Sequence, residues 1–294
     1  MSGGADPRGV VMKDDVMGSR SRIVAIALAM ALLPAMASAQ DRGPTERVVD
    51  VPLAGGATQP ALLLLPARPR GTIVMLPGGA GDVGLERDGD IRHGDNFVVR
   101  TRALWAARGY AVLIPDTVGR ANLRGVRSSP SYARRVGDLV AFAHRHVSGP
   151  VFLLGTSQGS IAAMNGAAHA PAGSVAGVVL TESVSVMGGS GETVFDASPE
   201  RVRVPALIVA NRDDRCNVAP PGAAPKIAAA MTASRDVRVL MVAGGVTRSD
   251  KDCGSLTPHG YYGIEDAVVG KISGWIGRVV GDGGAGGDLP VAAG

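Results

Sequence analysis

No other stretch of this chain restricts its folding as much as Val151-Phe152-Leu153-Leu154-Gly155-Thr156-Ser157-Gln158-Gly159-Ser160. A short, wholly apolar run enters Gly-x-Ser-x-Gly and is followed at once by small helix formers, Ile161-Ala162-Ala163-Met164. A strand, this pentapeptide and then a helix describe a sharp turn that lifts a serine hydroxyl above the edge of a sheet. Such a turn crowds its neighbours, and Gly155 and Gly159 supply positions without bulk that tolerate unusual backbone angles. The helix that follows sets its N-terminal dipole beneath the serine, where it favours developing negative charge. Glycine is abundant here, with 42 residues, so the pentapeptide carries weight only through the strand before it and the helix after it.

Residues 1–39 read as a secretory signal peptide. Arg20 and Arg22 precede an apolar run over 23–33, and Ala37-Ser38-Ala39 has the small-x-small form of a cleavage site, which makes Gln40 the first mature residue. The run is shorter than the roughly 20 residues that a membrane span needs, so no stable anchor is expected after cleavage. The charged stretch before Arg20 is long for a leader, and Met1, Met12 and Met17 are all candidate starts. Residues 40–280 suit one large α/β domain. The Gly/Ala-rich stretch 281–294 is expected to be a disordered tail.

Charge excludes one class of partner. Residues 1–39 hold four basic and three acidic residues, so +3 of the total +4 belongs to the rest of the chain. The basic residues are scattered rather than clustered, which leaves no footprint for nucleic acid.

The chain in order alternates strands with helices. Strands are expected over 47–53 and 61–65 as a hairpin, then over 72–76, 110–114, 151–155, 175–180, 206–210 and 237–242. Helices are expected over 97–108, 131–147, 225–233 and 262–279. This is an α/β pattern: a mostly parallel central sheet with helices on both faces. Only about 20 residues separate the two strands after the serine, too few for a large cap domain. Ligands of such sheets bind beyond the carboxyl ends of the strands.

A serine hydroxyl needs a base, usually a histidine oriented by a carboxylate. Of the five histidines, His259 lies in the loop before the last helix. His144, His146 and His169 fall on helices as solvated residues, and His93 precedes the serine on a loop that could face it. The acid is expected on the turn Asn211-Arg212-Asp213-Asp214-Arg215, with Asp214 preferred to Asp213 and with Glu182 as the rival. Ser157, Asp214 and His259 then stand in the order Ser…Asp…His.

With these motifs the chain resembles the α/β-hydrolase fold serine hydrolases over nearly all of 46–280, on Gly-Thr-Ser-Gln-Gly, Asn-Arg-Asp-Asp-Arg-Cys and His-Gly-Tyr-Tyr-Gly-Ile-Glu. The resemblance implies acyl-enzyme chemistry on a small-molecule acyl substrate without a cofactor, in an exported protein. It also implies an oxyanion hole, with one backbone N–H from Gln158 and the other from the loop Pro77-Gly78-Gly79-Ala80-Gly81. Gly79 is the first choice there and Ala80 the second. Many relatives carry His-Gly where Pro77-Gly78 stands.

Two other chemistries fit less well. The run from Gly79 to Gly84 matches Gly-x-Gly-x-x-Gly, but polar, glycine-broken residues follow it instead of a helix, and Asp116 comes late for the matching acid. Aspartates are plentiful, yet no His/Cys cluster accompanies them to make a metal site. The expected activity is hydrolysis of a carboxylic ester or related acyl compound, with a peptidase or amidase on the same groups and a catalytically idle binding protein as alternatives. Cys216 and Cys253 flank the acid turn and the histidine loop, and in an exported chain they are expected to bond. Such a bridge would tie the acid to the histidine, so its loss is expected to lower turnover more than it disturbs the fold.

Overall fold

The computed structural model describes residues 43–284; the expected signal peptide and residues 285–294 lie outside them. The hairpin forms as β1 (Thr45–Pro52) and β2 (Thr58–Leu65), which pair antiparallel. β3 (Thr72–Leu76), β4 (Ala111–Pro115), β5 (Val151–Thr156), β6 (Gly177–Thr181), β7 (Ala206–Asn211) and β8 (Val237–Val242) run parallel, and β2 joins them antiparallel to β4. The order across the sheet is β1-β2-β4-β3-β5-β6-β7-β8. The serine strand β5 is therefore central.

Every residue of β3 to β7 is buried, because helices cover both faces. α3 (Pro130–His146), α4 (Gly159–His169) and α5 (Ala224–Ala230) pack on one face. α1 (Phe97–Arg100), α2 (Arg102–Ala107) and α6 (Glu265–Gly284) pack on the other. The strand period of two divides the core between them: Val151 and Leu153 meet the first set, Phe152 and Leu154 the second.

Strand ends shift by up to three residues, and three helices depart from the sequence expectation as well. The helix expected over 97–108 is two, broken at Thr101, whose Oγ1 donates to the Phe97 carbonyl at 2.8 Å and competes with the backbone ladder. α5 stops at Ala230 because Met231, 1 % exposed, leaves helical angles as its side chain enters the core. α6 starts at Glu265 rather than 262, since Tyr261 and Gly263 have positive φ. It continues to Gly284, so residues 281–284 of the expected tail are helical; glycine lowers helix propensity by about 1 kcal/mol and does not forbid it. Val268, Ile272, Trp275 and Ile276 are buried from α6, with Ile264 and Val279 partly buried beside them. Between β6 and β7 the chain makes only two short 3₁₀ turns, Val194–Ala197 and Pro199–Arg201, and among the described residues the carboxyl edge of the sheet carries no large cap.

Candidate active site

β5 delivers Ser157 to the carboxyl edge of the sheet, and α4 begins two residues later. The left-handed angle falls on the serine itself, with φ 52, and not on the flanking glycines. Such a conformation costs a non-glycine residue of order 1–3 kcal/mol and is tolerated where the surroundings over-determine it. What Gly155 and Gly159 supply is room. A Cβ on Gly155 would lie 2.1 Å from the Gly159 carbonyl oxygen, and one on Gly159 2.1 Å from that of Leu76. The turn is pinned on both sides, Ser157 N–H donating to Thr181 O and Ser160 Oγ donating to Ser157 O.

His259 Nε2 lies 3.0 Å from Ser157 Oγ, and its Nδ1 lies 2.7 Å from Asp214 Oδ2. Histidine and acid are both buried. In the tautomer with its proton on Nδ1, the ring donates to Asp214 and leaves Nε2 to accept the serine O–H. Asp214 Oδ1 takes the Cys216 N–H at 2.8 Å. Asp213 turns elsewhere: its Oδ2 accepts the Gly244 N–H at 2.6 Å and steadies the histidine loop. Cys216 and Cys253 form a disulfide between the two loops.

Residues that sequence reasoning did not single out hold this loop. Asn211 Nδ2 donates to the carbonyls of Gly244 and Pro258, Arg100 donates to Gly260 O, and Tyr261 OH donates to Val209 O on β7. The only sequence signal among them is Asn211, a polar end to an apolar strand.

Glu182, the rival acid, sits behind Asp214. One carboxylate oxygen of each and a ring nitrogen of His259 lie within 4.8 Å of one another. Glu182 Oε1 accepts the Asn211 N–H at 2.8 Å, and its buried Oε2 has no hydrogen-bond partner. Among the described residues these three are the one group of ligand-type side chains close enough for a metal, and two of them are already engaged with each other. Burial first, and then the charge of Asp214, push the Glu182 carboxyl well above the usual carboxylate range. A raised carboxyl pKa means that the folded state binds the proton more tightly than the unfolded one. Its stabilising contribution is thus complete below the unfolded pKa, about 4.3, and is lost as pH rises through the folded value. Glu182→Gln, neutral in both states, will melt above the parent at pH 7, and the gap will narrow as pH falls toward 4. A gap that widens in acid would show the carboxyl to be ionised in the folded protein.

The loop after β3 turns back over the serine. Gly81 N–H donates to Gly78 O, and Gly79 takes the first central position with φ 59, a conformation suited to glycine. Gly78 is tightly packed, since a Cβ there would lie 3.0 Å from the Thr156 carbonyl oxygen and 3.1 Å from the Cβ of Ser157. The backbone N–H groups of Gly79, Ala80 and Gln158 have no acceptor among the described residues. Gly78, Gly79 and Ala80 also line a cleft of about 530 Å³, with His93 on its wall. His144, His146 and His169 instead bond backbone carbonyls on the α3–α4 side.

The Gly-x-Gly-x-x-Gly run does not open a helix; a loop with the bridge Leu85–Ile91 follows, and α1 starts only at Phe97. The Asp116 carboxylate is spent on that loop, accepting the N–H groups of Val83 and Leu85. This is not the geometry of a dinucleotide fingerprint.

Sheet order, strand directions and the turn at Ser157 define the α/β-hydrolase fold. No family model matches the chain, and no curated protein matches it by sequence. Solved structures do match in shape. An esterase of Pyrococcus furiosus superposes with a TM-score of 0.59 at 10% identity, covering 81% of this chain and 92% of that one. A dienelactone hydrolase of Anabaena variabilis gives 0.55 at 19% identity over 81% and 99% of the two chains. A cold-adapted esterase from an Arctic intertidal metagenomic library gives 0.53 at 14% identity over 79% and 94%.

Proposed function

We propose that this protein is an exported serine hydrolase that cleaves a carboxylic ester through an acyl-enzyme. The observation that carries the reading is the unbroken hydrogen-bonded line from Ser157 Oγ through His259 to Asp214. Ser157 attacks the carbonyl while His259 Nε2 takes its proton, and Asp214 orients the ring and stabilises its charged form. The N–H groups of Gln158 and Gly79 receive the developing oxyanion. His259 then returns the proton to the leaving alcohol and activates the water that releases the acid. The disulfide and the names of the structural neighbours, esterase and dienelactone hydrolase, support the same direction. In the cleft beside the oxyanion loop Leu256 is the one large aliphatic side chain, against Asp82, Arg92, Asp95 and Lys251.

Intact-mass analysis of the exported protein after treatment with a fluorophosphonate tests both halves. The expected product begins at Gln40 and carries one phosphonate, located by digestion on Ser157. A retained leader would overturn export, and an adduct elsewhere or none would overturn the chemistry.

A further inference from the structure

Arg127 lies on the connection from β4 to α3 and is 1 % exposed. A buried guanidinium is costly unless it is paired or well hydrogen-bonded. Arg127 makes no ion pair among the described residues. Glu192, whose charge acts on it, spends its own oxygens on the backbone N–H groups of Gly125, Arg127 and Ser128. The guanidinium donates instead to three neutral oxygens: Gly79 O at 2.9 Å, Gln158 Oε1 at 3.3 Å and Pro77 O at 3.4 Å. Two of these belong to the residues assigned above to the oxyanion hole, and the third to the strand end that leads into it.

The geometry of the peptide unit gives this grip a consequence. The unit joining Gly79 to Ala80 is planar, so a carbonyl held on Arg127 turns the N–H of Ala80 to the opposite side and fixes the backbone at Gly79. Leu123, on the same connection, holds the next carbonyl, Ala80 O, at 2.9 Å. The loop is thus held by two residues that do not themselves line the cleft bordered by Gly79 and Ala80. Burial lowers the affinity of Arg127 for its proton, yet arginine stays charged at any ordinary pH. A cation in a low-dielectric interior attracts a nearby negative charge more strongly than it would in water.

We propose that Arg127 is the positioning residue of the oxyanion hole: it grips the Gly79 carbonyl and the Gln158 side chain, fixes the loop whose N–H groups form the hole, and adds its charge to their field. The inference rests on the serine-hydrolase reading of Ser157.

Arg127→Met removes charge and donors at similar volume, and Arg127→Lys keeps the charge but loses the fork. Both are compared with the parent and with Ser157→Ala on p-nitrophenyl acetate, with sites counted by fluorophosphonate titration taken to completion. Per titrated site, kcat should fall about 10- to 100-fold in the methionine variant. KM should change by less than about threefold, and affinity for an alkylboronic acid should fall alongside kcat. The lysine variant should recover part of the loss, and it carries the test should the methionine variant not fold. A merely structural role would reduce the number of titratable sites and leave kcat per site unchanged. If the parent labels at Ser157 and both variants keep kcat per site, this proposal alone falls. A parent without Ser157-dependent labelling overturns it together with the hydrolase reading.

Discussion

Ser157→Ala will lower kcat on p-nitrophenyl acetate by roughly 10⁴- to 10⁶-fold, the range expected when a nucleophile of this kind is deleted. The effect is large because Ser157 Oγ is the hydroxyl placed 3.0 Å from His259 Nε2. Without it the histidine and Asp214 stay paired, and only water is left to attack a substrate held by the backbone N–H groups. Alanine is a clean deletion, removing one oxygen and keeping the Cβ that packs beside Gly78. The melting temperature should therefore stay within a few degrees of the parent. A mutant that keeps more than a tenth of the parental kcat would move the nucleophile to another residue.

Cys253→Ser will cost the fold about 3–4 kcal/mol by the chain-entropy relation for two cysteines 37 residues apart. In a domain of this size that corresponds to a melting point lower by roughly 6–16 °C. The kinetic loss will be the smaller effect, within about tenfold at 25 °C, which reverses the sequence expectation. The physical reason lies in the other ties on the histidine loop. Thr257 Oγ1 accepts the His259 N–H, Asn211 holds Pro258, Arg100 holds Gly260 and Tyr261 is fastened to β7. With the bridge gone, residues 246–256 loosen before His259 does. Denaturation curves beside kcat on the same samples check this, together with thiol titration of the unfolded, unreduced parent, which should give no free thiol. Two titratable thiols per chain would end the prediction, and so would a 100-fold loss of kcat with unchanged stability.

Local chemistry made part of the site legible. The apolar run into Gly-x-Ser-x-Gly specified a buried strand, a turn too tight for side chains and a helix, and all three stand at 151–169. Uniformly apolar strands alternating with helices specified a sheet covered on both faces. The positions of Ser157, Asp214 and His259 could be read because each follows or precedes an element whose period is strong. Element ends were less legible. Thr101, Met231 and Gly263 set them through one side-chain bond, one buried side chain and one backbone angle, none of which a hydrophobic period records.

What the sequence determined by itself, then, was the run of elements and the three residue types that meet at the carboxyl edge. Their order along the chain follows the strands, and strands are dictated by patterns a few residues long. Only the tertiary structure set Asp214 rather than Asp213 against His259, placed Glu182 behind it with its carboxyl pushed well above the usual carboxylate range, and turned Arg127 inward under Gly79. Each of these depends on burial and on partners far away in the chain. A carboxylate or a guanidinium acquires its role from the dielectric and the hydrogen bonds around it, and those exist only once the sheet has assembled.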